Sequence, residues 1–310
     1  MNRRQLGLGV ATATMALGSA ARAQQVYLRR SADSTAFYNS FNDQIARLPE
    51  AQQADVRAFY ERNGWRPVWT RDQVQALNAV AARADRHGLS GADHFDFVGL
   101  AADPASSDLR TTAAALAYAR VLAEGKVRPE TVEDLWEMQK NQVDLPTGLS
   151  DALAQNALLN WFEGLAPTDI GYTNLSAGYV RYRRLAARGG WPAFPAGATI
   201  EPNMSDRRIP ALIERLTAEG DLSADNGARL KAEGLVYGSE LQEAVKSFQT
   251  RHGLGADGRV GPGTQRSLSA SAEDRARQIA LNLERRRWLK REPAPERIEV
   301  NTAAAIMVYW

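Results

Sequence analysis

The side chains that could carry chemistry are spread thinly along this sequence. Two of its three histidines, His87 and His94, lie close to Asp93 and Asp96, and such residues can ligate a divalent metal. Their spacing nevertheless matches none of the standard metal-binding motifs. The sequence has no cysteine and no Ser-x-x-Lys, Gly-x-Ser-x-Gly or His-Glu-x-x-His motif. It therefore predicts no catalytic residue, no metal site and no cofactor.

Two further patterns have more than one interpretation. Carboxylates such as Glu133, Asp134 and Glu163 could supply the acid and base of a glycoside hydrolase, but nothing in the sequence selects a pair. Residues 253–258, GLGADG, have the glycine spacing of a dinucleotide-binding loop. They follow a predicted helix rather than a strand, which is the wrong context for a dinucleotide. A hydrolase therefore stays open as an alternative, whereas a nucleotide cofactor is not expected.

Residues 237–268 carry the clearest structural pattern. Ser239 and Gln242 have the spacing of a capping box, and apolar residues then recur at helical spacing (Leu241, Ala244, Val245, Phe248). Gly253 follows two basic residues, where a helix commonly ends in a left-handed glycine. After a turn, Gly261 and Pro262 begin a second short helix. This pattern predicts a small helix–turn–helix module.

Residues 244–268, AVKSFQTRHGLGADGRVGPGTQRSL, carry a resemblance. They are similar to the peptidoglycan-binding domain of bacterial cell-wall enzymes, whose pattern is a helix with AV..FQ followed by GL..DG.(V)G..T...L. The resemblance implies that this module binds peptidoglycan. It places binding on the motif residues: Phe248, Gln249, His252, Gly253, Leu254, Asp257, Gly258 and Gly261. The residues alone also allow a structural role, with apolar side chains in the core and glycines in the turn.

The first 23 residues have the features of an export signal. Two arginines precede an apolar run from Leu6 to Leu17, and a small-x-small cleavage site ends at Ala23. We therefore expect a periplasmic protein that begins near Gln24, is exported by the general secretory or twin-arginine route, and is not inserted in the membrane after cleavage. Loss of three arginines takes the formal net charge from +2 to about −1, which argues against a nucleic-acid partner.

The region up to residue 222 is predicted to consist of helices joined by short turns. Trp65 and Trp69 flank Arg-Pro-Val in an extended segment. Two such aromatic side chains could form a carbohydrate platform, or they could fasten the loop onto the core. The segments FYERNGWRPVW, ALNAVAARADRHGLS and YVRYRRLAARGGWP resemble the helical scaffold domain of large periplasmic L,D-transpeptidases. In that family a peptidoglycan-binding domain and then a catalytic domain follow the scaffold.

Beyond the module, Ser271 and Asp274 begin a long helix that ends before Pro293. Its C-terminal arginines, 285–287, form a basic patch with Lys290 and Arg291, which is more typical of a solvated helix face than of an anion site. Residues 297–301 and 306–310 alternate as two β-strands. The resemblance places the catalytic domain there. The family's nucleophile is a cysteine in an S/T-H-G-C motif, and no position here matches it.

Together these observations predict a mainly α fold. We expect a signal peptide (1–23), a helical scaffold domain (24–222), a three-helix peptidoglycan-binding domain (223–270), a linker helix (271–296) and the first strands of a truncated catalytic domain (297–310). The expected function is peptidoglycan binding by the non-catalytic part of an L,D-transpeptidase-like protein, inactive as given. A stand-alone wall-binding scaffold protein is the main alternative.

Overall fold

The computed structural model describes residues 38–39, 41–95, 103–132, 141–292, 294–301 and 306–310. The predicted signal peptide, Asp96 and the Glu133–Asp134 pair lie outside these residues. The predicted mainly α fold is confirmed. The chain divides into two compact units: a first unit, Met1–Ala84 with Ser90–Ala166, and a second unit, Asp85–Leu89 with Pro167–Trp310. No helix in the described ranges is long and apolar enough to cross a membrane.

The first unit is a helical bundle. Its helices include α1 (Glu50–Arg62), α2 (Arg71–Ala81), α3 (Ala92–Phe95), α4 (Pro104–Glu124), α5 (Leu145–Ala154) and α6 (Leu158–Leu165), with a 3-10 turn at Pro129–Thr131. The alanine-rich α4 is buried along most of its length and packs against α1, α3, α5 and α6. Small side chains on α4 allow this close approach, so α4 forms the centre of the unit.

A buried carboxylate organises one side of this bundle. Asp108 accepts hydrogen bonds from the backbone N–H groups of Val68 (2.8 Å) and Trp69 (2.9 Å) and from the Tyr60 hydroxyl (2.5 Å). The indole of Trp69 donates to Thr112 (2.8 Å). The Trp65–Trp69 segment is thereby fastened onto α4, as the loop-fastening interpretation expects.

Among its described residues, the second unit contains six further helices and a hairpin. They are α7 (Ile170–Ala187), α8 (Ile209–Glu219), α9 (Ala224–Glu233), α10 (Ser239–Arg251), α11 (Pro262–Ser269) and α12 (Ala272–Trp288), followed by β1 (Ile298–Asn301) and β2 (Ile306–Tyr309). A 3-10 turn spans Ala84–His87. The strands pair antiparallel, with Ile298 opposite Tyr309 and Asn301 opposite Ile306. The two predicted strands are therefore confirmed.

In the second unit, the predicted N-terminal cap of α12 is confirmed, whereas the predicted N-terminal cap of α10 is wrong. Ser271 and Asp274 form the predicted start of α12 as a reciprocal capping box. The capping box predicted for Ser239 is wrong, because the N-cap of α10 is Gly238 and no side chain caps that helix. The backbone of Tyr237 is bonded to Asn203 and Met204, which fixes the chain in extended form up to Gly238 and leaves Ser239 inside the first turn.

The basic end of α12 agrees with its prediction at Arg285 and Lys290, which are exposed, but differs at Arg287. Arg287 is not on a solvated face, since only 1% of its surface is exposed. Its guanidinium donates to the His87 carbonyl (2.8 Å) and the Tyr172 hydroxyl (3.1 Å), and it pairs with Glu284 (2.6 Å). Arg287 lies one helical turn beyond the buried Leu283, so it falls on the face that α12 packs against α7.

Candidate functional site

The turn that follows α10, residues 252–261, contains most of the predicted binding residues. Gly253 and Gly258 both adopt left-handed backbone conformations, with φ of +67° and +72°. The Leu254 N–H donates to the Gln249 carbonyl (2.8 Å), which closes the C-terminus of the helix. The predicted glycine C-cap is confirmed, and the chain reverses direction here because glycine tolerates positive φ without steric cost.

Gln249 fixes the shape of this turn from the inside. Its side-chain nitrogen donates to Asp257 Oδ1 (2.9 Å), the Arg259 carbonyl (3.0 Å) and Thr264 Oγ1 (3.0 Å). Its side-chain oxygen accepts the Gly258 N–H (2.9 Å). One amide therefore joins α10 to the far side of the turn and to α11. Because only 1% of Gln249 is exposed, these bonds are made away from competing water.

Tyr237 and Gly258 make a second attachment. The Tyr237 hydroxyl donates to the Gly258 carbonyl (2.6 Å), and burial together with the nearby charge of Asp257 raises the pKa of that hydroxyl, so it stays protonated. A Cβ atom at Gly258 would lie 2.7 Å from Gln242 Cγ. Glycine is required here both by the backbone conformation and by this close approach.

Asp257 is an exposed anion at the tip of the turn. Its Oδ1 accepts the Arg259 N–H (2.9 Å) as well as the Gln249 amide. These hydrogen bonds, that of the Arg259 backbone first, lower the pKa of Asp257. Since the bonds engage Oδ1, the carboxylate presents an ionised group to a ligand while its orientation is fixed.

The structure divides the eight predicted site residues by accessibility. Phe248, Gln249 and Gly258 are buried, whereas His252, Leu254 and Gly261 are half-buried and Gly253 and Asp257 are exposed. Phe248 lies in a hydrophobic core that α10 and α11 share with α8. The buried members can influence a ligand only through the shape of the turn, while the surface that a ligand can reach is formed by residues 253–257 with Arg259.

Sequence reasoning missed the segment that lies beside this turn. Ile200 pairs with Val260 and Ser205 with Val236 in short antiparallel bridges. Arg259 extends from the turn to Glu201, with its Nε 2.7 Å from Glu201 Oε2. The local signals for this segment were the extended Ala198–Ile200 stretch and the apolar Val236. They are weak because bridges between residues more than 30 positions apart leave no local periodicity.

A buried ionic cluster centred on Glu219 contacts the C-terminal end of α10 and fixes the position of His252. Glu219 is 2% exposed and contacts Arg215 (2.8 Å), Arg251 (2.9 Å), Tyr182 (2.7 Å) and the His252 ring nitrogen (3.4 Å). The His252 ring also packs on Phe248, with centroids 4.2 Å apart. Sequence reasoning missed this cluster too; its only local signal was the i,i+4 spacing of Arg215 and Glu219.

The described residues also bear on the metal hypothesis. Within these ranges, no three histidine, cysteine, aspartate or glutamate side chains come together as metal ligands. The ring of His87 is instead hydrogen-bonded to the Tyr172 hydroxyl (3.0 Å).

Two family models match the chain. Residues 54–178 match the family described as a scaffold domain, and residues 211–268 match the family described as a putative peptidoglycan-binding domain. No curated protein matched the chain. The turn organised by Gln249 lies inside the second match. The chain thus contains a scaffold domain followed by a peptidoglycan-binding domain, in the order that the sequence resemblance implied.

Proposed function

We propose that this protein binds peptidoglycan through the accessible side of the turn at residues 252–261. The observation that carries the proposal is the coincidence of the peptidoglycan-binding match with a turn whose shape is fixed by four side-chain bonds of Gln249. A turn held in this way loses little conformational entropy when it binds a ligand. The exposed Asp257 carboxylate and neighbouring backbone groups supply hydrogen-bonding partners for sugar hydroxyls or peptide amides.

The wider setting of this activity is also a proposal. The protein is exported to the periplasm and forms the scaffold and wall-binding part of an L,D-transpeptidase-like architecture. The order of the two family matches supports this, as do the long helix and paired strands after the module. The 310 residues contain no cysteine, so a cysteine-based acyl transfer is not a function of these residues.

The test is retention of residues 24–310 on purified insoluble peptidoglycan. A Phe248→Ala variant is a poor probe, because Phe248 is fully buried and truncation would disturb the core. Gly255 is better suited: it is exposed, and a Cβ there has no atom within 4 Å. We expect Gly255→Gln to leave the fold intact and to reduce retention by obstructing the accessible side of the turn.

Gly164→Gln is the matched control, because Gly164 is exposed and equally unobstructed but lies in the first unit. Its retention should equal that of the unmodified chain. A folded unmodified chain that is not retained would contradict peptidoglycan binding. Equal retention of all three proteins would keep the function but remove it from this turn.

A further inference from the structure

A basic groove runs along one face of α7 in the second unit. Its volume is about 580 Å³, and four arginines line it: Arg86, Arg181, Arg184 and Arg188. Positions 181 and 184 of α7 and position 188, its C-cap, follow helical spacing, so their side chains leave the same face. With a rise of about 1.5 Å per residue, their attachment points span roughly 10 Å along the groove.

The positive charge of this groove is not neutralised by any side chain in the part of the chain that the structure describes. Among these residues, no aspartate or glutamate lines the groove. Within the described ranges, Arg86, Arg184 and Arg188 form no ion pair, whereas the exposed Arg277 and the half-buried Arg286 each pair with a carboxylate. Guanidinium groups brought together without counter-charges repel one another, and a bound anion would relieve that repulsion.

The remaining lining of the groove is small and partly apolar. Ala177, Val180 and Leu185 form its apolar part, and Thr173 and Ser176 add hydroxyl groups at one end. Arg181 is held by a hydrogen bond to the Glu219 carbonyl, which fixes one side of the groove. A ligand that fits this lining combines anionic groups with small apolar groups. A bare phosphodiester chain would leave the apolar part unused.

We propose that the groove binds a short peptide that carries free carboxylates and small apolar side chains, which is the chemistry of a peptidoglycan stem peptide. Arginine binds a carboxylate through two parallel N–H···O bonds, which gives this contact both strength and direction. The proposal rests on the proposed function, because it assigns a second contact with the same polymer. It names the peptide part as ligand and α7 as the element that binds it.

The experiment measures binding of sugar-free stem peptides, released from peptidoglycan by an amidase, to residues 24–310 by calorimetry. The variant is Arg184→Gln with Arg188→Gln. Both side chains are exposed, and glutamine has a similar helix propensity to arginine. Loss of two charged hydrogen-bonding groups should weaken binding by about tenfold or more. The same peptides with their carboxylates converted to methyl esters should bind the unmodified chain as weakly.

Arg183→Gln is the matched control, since Arg183 is exposed on the same helix but does not line the groove. It should bind the peptides as the unmodified chain does. Equal affinity in the double variant, or equal affinity for the esterified peptides, would overturn the proposal. So would tighter binding of inorganic phosphate than of the peptides, which would point to a phosphate-bearing ligand. If the unmodified chain is retained on insoluble peptidoglycan in these cases, the groove assignment alone has failed.

Discussion

Asp108 in the first unit and Glu219 in the second are both buried carboxylates, yet their surroundings act on them in opposite directions. Asp108 accepts hydrogen bonds from two backbone N–H groups and a tyrosine hydroxyl, and burial outweighs these bonds so that its pKa is raised. Burial would also raise the pKa of Glu219. Hydrogen bonds and charge from His252, Arg215, Tyr182 and Arg251 outweigh it there, and the pKa is lowered.

The difference shows that burial by itself does not decide whether the pKa of a carboxylate is raised or lowered. Neutral donors satisfy Asp108 but leave its charge only partly compensated, whereas arginines on α8 and α10 compensate the charge of Glu219. The first arrangement fastens a loop onto a helix bundle. The second joins α7, α8 and α10, and thereby supports the helix from which the candidate binding turn extends.

The largest effect should come from Glu219→Gln. The substitution leaves Arg215 buried without its counter-charge, and breaking such a pair costs about 3–5 kcal/mol. Hydrogen exchange read by mass spectrometry should show faster exchange in α8 and α10, with α1 and α4 unchanged. Glu214→Gln is the control: its side chain is half exposed and its pair with Lys231 spans 3.9 Å, so we expect a change within about 0.5 kcal/mol. Unchanged exchange in α8 would show that the cluster contributes little.

A smaller effect is expected for Asp108→Asn. Asparagine keeps one acceptor oxygen for the Val68 and Trp69 N–H groups, and its NH₂ can donate to the Tyr60 hydroxyl. No buried cation is left unpaired, so the cost should be about 1–3 kcal/mol. The same exchange measurement should report it in α1 and α4. A cost above that of Glu219→Gln would reverse the comparison between the two carboxylates.

Removing one tyrosine hydroxyl from each site should destabilise the protein more at Asp108 than at Glu219. Tyr60→Phe deletes the side-chain donor to Asp108, which no charged group replaces, and should cost about 1.5 kcal/mol. Tyr182→Phe leaves Glu219 with its arginine partners and should cost about 0.5 kcal/mol. Chemical denaturation of the two variants under identical conditions tests the order. Equal costs would mean that the charged partners of Glu219 do not compensate for the lost hydroxyl.

The smallest expected effect is on the pH dependence of stability, which should have opposite signs for the two carboxylates as the pH falls from 7 to about 3. Since the pKa of Asp108 is raised, the folded state takes up its proton first, and the stability of the wild type relative to Asp108→Asn should grow as the pH falls toward 4. Since the pKa of Glu219 is lowered, the unfolded state takes up the proton first. The advantage of the wild type over Glu219→Gln should therefore hold down to about pH 4.3 and shrink below it.

Thermal denaturation of the two variants and the wild type from about pH 7 down to about pH 3 checks the prediction, because the Glu219 effect is lost only below the unfolded-state pKa. Parallel curves for the wild type and Asp108→Asn would show that the Asp108 carboxylate experiences no net burial penalty.

Local sequence signals were sufficient for much of the peptidoglycan-binding module. The helical spacing of Leu241, Val245 and Phe248 predicted α10 and its buried face, and Gly253 predicted its end. These signals act over three to five residues, so composition and spacing carry them directly. The same range explains why the start of α12 at Ser271 was predicted correctly. The Ser239 capping box was predicted wrongly, because long-range backbone hydrogen bonds of Tyr237 determined where that helix begins.

Tertiary structure alone decided which predicted residues a ligand can reach and which charged side chains are buried. Sequence placed Phe248, Gln249 and Asp257 in one motif, but packing buried the first two and exposed the third. It also buried Arg287 and left the arginines of α7 facing an open groove. An arginine has the same local propensities in either place. Its burial depends on whether a distant segment supplies acceptors for its five N–H groups, as His87 and Tyr172 do for Arg287.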